Sequence, residues 1–338
     1  MYTLLHDIAA LIADAPIALA RVVATSGAGP RSVGASMLIT AEGRPLGSLS
    51  AGCVESVVIH TALEVISTGR ATSERFGYSD PDAIEVGLSC GGEIEVFIER
   101  LDAGHREWVS ELIAAREAGR RVAVATTLDE DPHHRIVDDR TETVVVELEG
   151  GQAFVHTYSP PPRMVLAGAN DYVRALGAMA TVLGYRVTVV DARPVFATRD
   201  RFPEVHEVVV DWPHRYLRGE RAAGRLDSRT VVCVMTHDTK FDVPTLEAAL
   251  AMKDLAFVGA LGSRRTHEDR LERLRAAVHS EEALRRVQSP LGLDLDAQSP
   301  EETAVSILAQ VIADRTGASG QRLRDLQGPI HRQRLFTG

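Results

Sequence analysis

The sequence predicts an α/β protein in two parts: an N-terminal α+β domain and a C-terminal doubly wound parallel sheet of the Rossmann-like kind. Two observations carry this. Tyr158-Ser-Pro-Pro-Pro-Arg163 breaks the chain near its middle, because consecutive prolines enter neither a helix nor a central strand and favour a stiff spacer. Beyond the break, short apolar runs alternate with helical runs, the pattern of a parallel sheet with crossover helices. The expected boundaries are residues 1–157 for the first domain, 158–162 for the linker, 163–315 for the second domain and 316–338 for a mobile tail.

Within the first part, apolar spacing predicts a helix from Leu4 to Ala13 and strands over Ile17–Thr25 and Ser36–Thr40. Between those strands lies a glycine-rich loop, Ser26-Gly-Ala-Gly-Pro-Arg-Ser-Val-Gly34, which carries Arg31. A helix is expected from Val54 to Ser67, closed by Gly69. Glu93–Arg100 alternates as a strand, with Ile94, Val96 and Ile98 on one face and Glu93, Glu95 and Glu99 near the other. A helix over Arg106–Ala118 ends at Gly119, and Arg121–Thr127 begins another strand. Asp129-Glu-Asp-Pro-His-His134 holds ligand-type side chains, but its polar, turn-like composition reads as a solvated loop.

In the second part, strands are expected at Arg163–Ala167, Arg186–Val190, Glu207–Val210, Thr230–Met235 and Ala256–Gly259. The first strand turns at Gly168-Ala-Asn-Asp171 into a helix over Tyr172–Leu183. A later helix opens at Ser299-Pro-Glu-Glu302, with Ser as N-cap, Pro at N1 and Glu at N3. It is expected to turn Val305, Leu308, Val311 and Ile312 inward.

Composition narrows the function. The chain has 338 residues, with 45% hydrophobic and 25% charged residues, which is ordinary for a soluble globular protein. No apolar run approaches the roughly 18 residues of a membrane span, and the start lacks a signal-peptide pattern, so a cytoplasmic location is expected. A net charge of −10 argues against generic nucleic-acid binding. Three cysteines without a C-x-x-C pair argue against a disulfide scaffold, a zinc knuckle or an iron–sulfur cluster. Lysine occurs only at Lys240 and Lys253, so an isolated arginine says little about phosphate binding.

The most informative stretch is Gly47-Ser-Leu-Ser-Ala-Gly-Cys-Val-Glu55, with its echo Gly87-Leu-Ser-Cys-Gly-Gly92. Cys53 falls at the start of the expected helix, where the macrodipole favours a thiolate. Small neighbours such as Gly52 let a bulky ligand approach the backbone. In the second domain the dinucleotide fingerprint survives only at Gly168; Asn170 and Val173 occupy the later glycine positions. Asp191, ending the second strand, is placed to bond a ribose, although Arg193 follows it and leaves phosphate as an alternative. Two further loops lie beyond strand ends: Thr236-His237-Asp238, and Gly259-Ala-Leu-Gly-Ser-Arg-Arg265. The second opens a helix whose free N–H groups at Gly262, Ser263 and Arg264 suit an anion. Ordinary capping is the competing explanation. Cys233, within Val-Val-Cys-Val-Met, is expected in the core.

Together, Ser50-Ala-Gly-Cys-Val-Glu55, Gly87–Gly92, Thr236–Asp238, Gly259–Thr266, Pro290-Leu-Gly-Leu-Asp294 and Ser299–Glu302 resemble the XdhC/CoxI family, over roughly residues 4–315. The resemblance implies an accessory factor for molybdenum hydroxylases such as xanthine dehydrogenase. Such a factor binds molybdenum cofactor (molybdopterin) transiently and holds it while a cysteine desulfurase supplies its terminal sulfido ligand. It then delivers the cofactor to the apo-hydroxylase, acting as a binding and transfer protein rather than a turnover enzyme. It also implies that Cys53 is the cysteine of cofactor binding. Gly52, Glu55, Cys90, Gly91 and Arg31 are candidate contacts in the first domain; Gly168, Asp191, His237, Asp238, Gly262, Ser263 and Arg264 are candidates in the second. Ala51 stands where the family commonly has glycine. A homodimer is left open, and the alternative is an NAD(P)-dependent oxidoreductase using the second domain.

Overall fold

The computed structural model describes residues 4–26, 31–50, 52–77, 92–137, 142–277 and 280–328. It divides into two compact units, residues 1–160 with 323–338, and residues 161–322. The second cysteine motif, with Cys90 and Gly91, lies outside the described residues, as does Ala51.

The first unit begins with α1 (Leu5–Asp14), β1 (Ile17–Ser26), β2 (Ser36–Ile39) and β3 (Pro45–Gly47). It continues through α2 (Glu55–Thr68), β4 (Thr72–Phe76), β5 (Glu93–Leu101) and α3 (Arg106–Glu117), and closes with β6 (Val122–Thr127), β7 (His134–Val137), β8 (Val144–Leu148) and β9 (Gly151–Tyr158). One antiparallel sheet has the order β3-β2-β1-β5-β4 and another β7-β6-β9-β8. Helix α2 buries Val58, Ala62 and Val65 in a cluster with Val22, Ile94, Val96 and Ile98, and ends at Gly69 in the left-handed conformation.

The alternation of β5 forms as expected, with Ile94, Val96 and Ile98 in the α2 cluster and Glu99 on the other face, where it is fully buried and paired with Arg21 of β1, itself 1% exposed. The opposite face of β5 is covered by β7 and β9, whose His134 lies 2.8 Å from the Glu99 carboxylate and whose Phe154 packs under the Arg21 guanidinium. One sequence expectation needs correction here: His134, the end of the segment read as a solvated loop, begins β7, and its buried ring stacks on Trp108 because that face of β5 is covered. The β8–β9 hairpin was also unforeseen, although the two-residue Glu149-Gly150 connection between β-branched runs is a hairpin signature.

The second unit is a six-stranded sheet. Its elements are β10 (Arg163–Ala167), α4 (Asp171–Val182), β11 (Arg186–Val190), β12 (Glu207–Val209), α5 (Pro213–Ala222), β13 (Val231–Val234) and α6 (Thr239–Leu250). They are followed by β14 (Phe257–Ala260), α7 (Arg264–Ala277), α8 (Glu281–Arg285), β15 (Val287–Gln288) and α9 (Pro300–Thr316). The order β12-β11-β10-β13-β14-β15 is parallel throughout, and apolar clusters cover both faces. Strand direction of growth reverses between β10 and β13, the switch point at which such sheets bind ligands. The Ser299 capping box forms as expected. Val305 and Ile312 do not turn inward: they are 49% and 37% exposed, while Ala304, Ile307, Leu308 and Val311 pack into the cluster shared with α4. Among the described residues no helix is long and apolar enough to cross a membrane.

Candidate functional site

In the first unit the loop before α2 is organised by its own side chains. Glu55, the first residue of α2, turns back so that Oε1 accepts the Ser50 N–H at 2.8 Å, the Ser48 hydroxyl at 2.9 Å and the Leu49 N–H at 3.2 Å. Its Oε2 accepts the Ser50 hydroxyl and, at 3.2 Å, the Val54 N–H. Burial alone would raise this carboxyl's pKa, but the hydrogen bonds from Ser50 and Ser48 prevail and pull it down to about 2. The Ser50 oxygen in turn accepts N–H groups from Cys53 at 2.9 Å, Gly52 at 3.1 Å and Val54 at 3.4 Å. Cys53 is thus held one residue before Val54, which opens the helix, half-buried against the apolar cluster of α2 and the sheet.

Gly52 has φ +109°, and among the described residues nothing lies within 4 Å of where its Cβ would stand. No described residue therefore crowds the backbone beside Cys53 on that side, and a glycine there lets a ligand approach closely. Arg31 is exposed and makes no hydrogen bond or ion pair with another described residue. Among the described residues no group of three or more histidine, cysteine or acidic side chains could hold a metal ion.

In the second unit, the ends of β10, β11 and β13 converge on a cleft of about 490 Å³. Asn170, His237 and Asp238 line it, together with Arg193, Phe196, Arg201 and Phe241. Gly168 has φ +122°, and a Cβ there would come within 2.8 Å of Thr236 Cγ2, so the turn admits only glycine without rearrangement. Asn170 caps α4 by accepting the Val173 N–H at 3.0 Å and donates Nδ2 to the Met235 carbonyl at 2.8 Å. It braces two strand ends against each other where a dinucleotide loop would leave room. Val173 is wholly buried. Asp191 is bound by Arg193 through the backbone N–H, Nε and Nη2, and the Arg193 guanidinium lies 4.6 Å from the centre of the Phe196 ring.

His237 is exposed, and Asp238 caps α6 while pairing with Lys240 at 3.2 Å. The loop after β14 is tied to this region from below. Arg270 donates to the Asp242 carboxylate at 2.8 Å and to the Leu261 carbonyl at 3.0 Å, and Thr236 donates to the other Asp242 oxygen. Ser263 accepts the Thr266 N–H at 3.2 Å, an ordinary capping bond, while Ser263 and Arg264 stay exposed. Gly262, Ser263 and Arg264 do not line the cleft. Sequence reasoning missed Phe196, Arg201 and Phe241, because their convergence depends on three separate strand ends. Cys233 is fully buried, and burial pushes its thiol up to about 12.

The comparisons with known proteins find matches in both units of the chain. Residues 164–311 match the XdhC Rossmann domain and residues 10–77 match the XdhC and CoxI family. The chain is 27% identical to a Bacillus subtilis protein named as a probable xanthine dehydrogenase subunit, over 88% of this chain and 92% of that protein. It is 26% identical to the molybdenum cofactor insertion chaperone PaoD of Escherichia coli, over 90% and 86% of the two chains, so both similarities span both units. A crystal structure described as a xanthine dehydrogenase from Bacillus halodurans superposes with a TM-score of 0.75 at 27% identity, covering 95% of this chain and 98% of that one. The two family matches fall on the Cys53 unit and on the parallel-sheet unit, and this chain belongs to the XdhC and CoxI family.

Proposed function

We propose that this protein carries molybdenum cofactor as cargo, holds it while a cysteine desulfurase supplies the terminal sulfido ligand, and delivers it to an apo molybdenum hydroxylase of the xanthine dehydrogenase type. The observation that carries this reading is the braced Cys53 loop, with no described residue crowding Gly52, in a chain similar to a protein named a molybdenum cofactor insertion chaperone. Molybdopterin presents a dithiolene, a phosphate and a molybdenum–oxo group. A carrier needs a soft sulfur donor near the metal and donors for the phosphate. In this reading Cys53 supplies the sulfur, the Gly52 backbone admits the cargo, and Arg31 with the Cys90–Gly91 segment completes the first-unit contacts. In the second unit Gly262 with the exposed Ser263 and Arg264 would offer N–H and guanidinium groups to an anion, while His237 and Asp238 line the cleft and Gly168 and Asp191 hold the turns beside it. The protein works in the cytoplasm, where its partners are made.

Turnover as a xanthine dehydrogenase is disfavoured by the sequence itself, since three cysteines cannot supply the four thiolates of even one conventional iron–sulfur cluster. NAD(P) fits the second-unit cleft poorly, because Asp191 is committed to Arg193 and Asn170 fills the pyrophosphate turn. The test is the ligand that copurifies from cells able to make molybdenum cofactor. A pterin identified by fluorescence after oxidation supports the carrier. Bound nicotinamide supports the oxidoreductase alternative and overturns the carrier reading.

A further inference from the structure

An acidic residue in the first turn of a helix is usually explained by the macrodipole, for which any carboxylate there suffices. Glu55 does something more specific. Its side chain reaches five to seven residues back along the chain, and both oxygens accept donors from Ser48, Leu49 and Ser50 as well as Val54. The single hydroxyl proton of Ser50 points to Glu55, which leaves the Ser50 oxygen as a pure acceptor for the N–H groups of Gly52, Cys53 and Val54. Ser50 is 2% exposed, so these bonds are shielded from competing water. The carboxylate, the serine and the three amides form a chain of acceptance that ends at the Cys53 backbone.

We propose that Glu55 and Ser50 are positioning residues for Cys53, and that Glu55 sets the thiol's place and exposure without itself touching cargo. Three consequences separate this from a general stabilising role. Glu55→Asp keeps a charge at the helix start but shortens the side chain by one methylene, so it cannot span the same donors. Ser50→Ala removes the link while leaving Glu55 in place. Glu55→Gln retains the length but replaces one acceptor oxygen with a donor amide facing other donors.

The experiment measures alkylation of the full-length protein by iodoacetamide, in which the thiolate displaces iodide, with rates read separately for the Cys53 and Cys90 peptides between pH 6 and pH 10. Thermal unfolding is followed in parallel. All three variants should raise the Cys53 rate at least fivefold and change its pH profile, while Cys90 stays within twofold and the fold survives at the assay temperature. An unchanged Cys53 rate overturns the proposal, as does wild-type behaviour of Glu55→Asp, because charge at the helix start would then suffice. A parallel rise at Cys90 would indicate general loosening and also overturn it.

Should the variants not fold, hydrogen exchange on the wild-type protein decides. The Gly52, Cys53 and Val54 amides should be protected at least tenfold over an unstructured peptide, and unprotected exchange overturns the proposal. The alkylation readout stands apart from the carrier reading, whereas the cargo clause rests on it. Loss of pterin in Glu55→Gln with Cys53 alkylation unchanged would make Glu55 a cargo contact and leave the carrier reading intact. Altered alkylation in a protein that never retains pterin would uphold the positioning and overturn the carrier.

Discussion

Arg193 closes the carboxylate of Asp191 at the end of β11. Oδ1 accepts the Arg193 N–H and Nε at 2.9 Å each, and Oδ2 accepts Nη2 at 2.7 Å. Asp191 is 2% exposed and the Arg193 side chain 45% exposed, so the pair is a bidentate, charge-assisted interaction with its carboxylate buried and its guanidinium open to solvent. An acid at this point of a doubly wound sheet ordinarily takes a ribose hydroxyl. Here a ribose would have to displace a guanidinium.

Dinucleotide affinity should accordingly be poor. Beyond the Asp191 pair, Asn170 is engaged on both sides of its amide, and Val173 fills the position where a third glycine would allow close approach. Each charge-assisted bond forgone contributes roughly 1.5–3 kcal/mol. Isothermal titration with NAD and NADP should give dissociation constants well above micromolar, and a sub-micromolar value for either would refute this account of the cleft.

Cys53 and Cys233 should respond in opposite ways to the same substitution. Cys53→Ser changes a half-buried loop residue whose backbone is held by Ser50, so stability should shift by no more than about 1 kcal/mol. Pterin retention and activation of a co-expressed hydroxylase should fall sharply. Cys233→Ser places a hydroxyl in the fully buried centre of β13, at a cost of about 1–3 kcal/mol, and should spare cofactor handling in the molecules that fold. Denaturant unfolding and pterin fluorescence on both variants check the pair. Wild-type activation by Cys53→Ser would remove that thiol from the mechanism.

What could be read in advance was whatever depends on near neighbours in sequence. The Ser299–Glu302 box, the Gly69 helix end and the parallel strands of the second unit follow from capping, left-handed glycine and short apolar runs. Cys53 could be placed at a helix start for the same reason. The Glu55–Ser50 brace could not, because a glutamate at N1 looks the same whether it faces solvent or folds back. Val305 and Ile312 were misassigned because several apolar residues surround α9, and only the position of α4 selects the buried stripe. Arg21 and Glu99 lie 78 residues apart, so their pairing needs the β1–β5 register and the covering strands.

The loops beyond β13 and β14 should fail together when Arg270 is removed. Arg270 and Asp242 are each 3% exposed, and Arg270 also reaches the Leu261 carbonyl and the Ser289 hydroxyl. Arg270→Ala leaves Asp242 buried with only the Thr236 hydroxyl, and losing one partner of a buried pair typically costs about 3–5 kcal/mol. Hydrogen exchange should show increased opening at residues 236–238 and 261–263, with the first unit unaffected. Unchanged exchange in either loop would show that the network does not couple them.

Acid should act on the first unit through Glu99. Burial would raise this carboxyl's pKa, but Arg21 and then His134 outweigh it, with a smaller contribution from His105, so the folded value lies below the ordinary one. Tyr158, its phenol pushed up by burial, and His156, kept neutral by burial and Arg21, border the same cluster. A depressed folded pKa contributes stability that is fully present above the unfolded value of about 4.3 and is lost as pH falls through the folded value. Glu99→Gln removes the contribution at every pH and leaves Arg21 buried without its counter-charge, much as protonation does. The variant should therefore be several kcal/mol less stable than wild type at pH 7, by about 3–5 kcal/mol for a broken buried pair. The gap should narrow as pH is lowered from 7 to 3, because the wild-type carboxylate is being protonated while the variant has nothing there to lose. Urea midpoints of both proteins across that range measure the gap directly; a gap that stays constant or widens toward pH 3 would show that Glu99 is not the group through which acid loosens this unit.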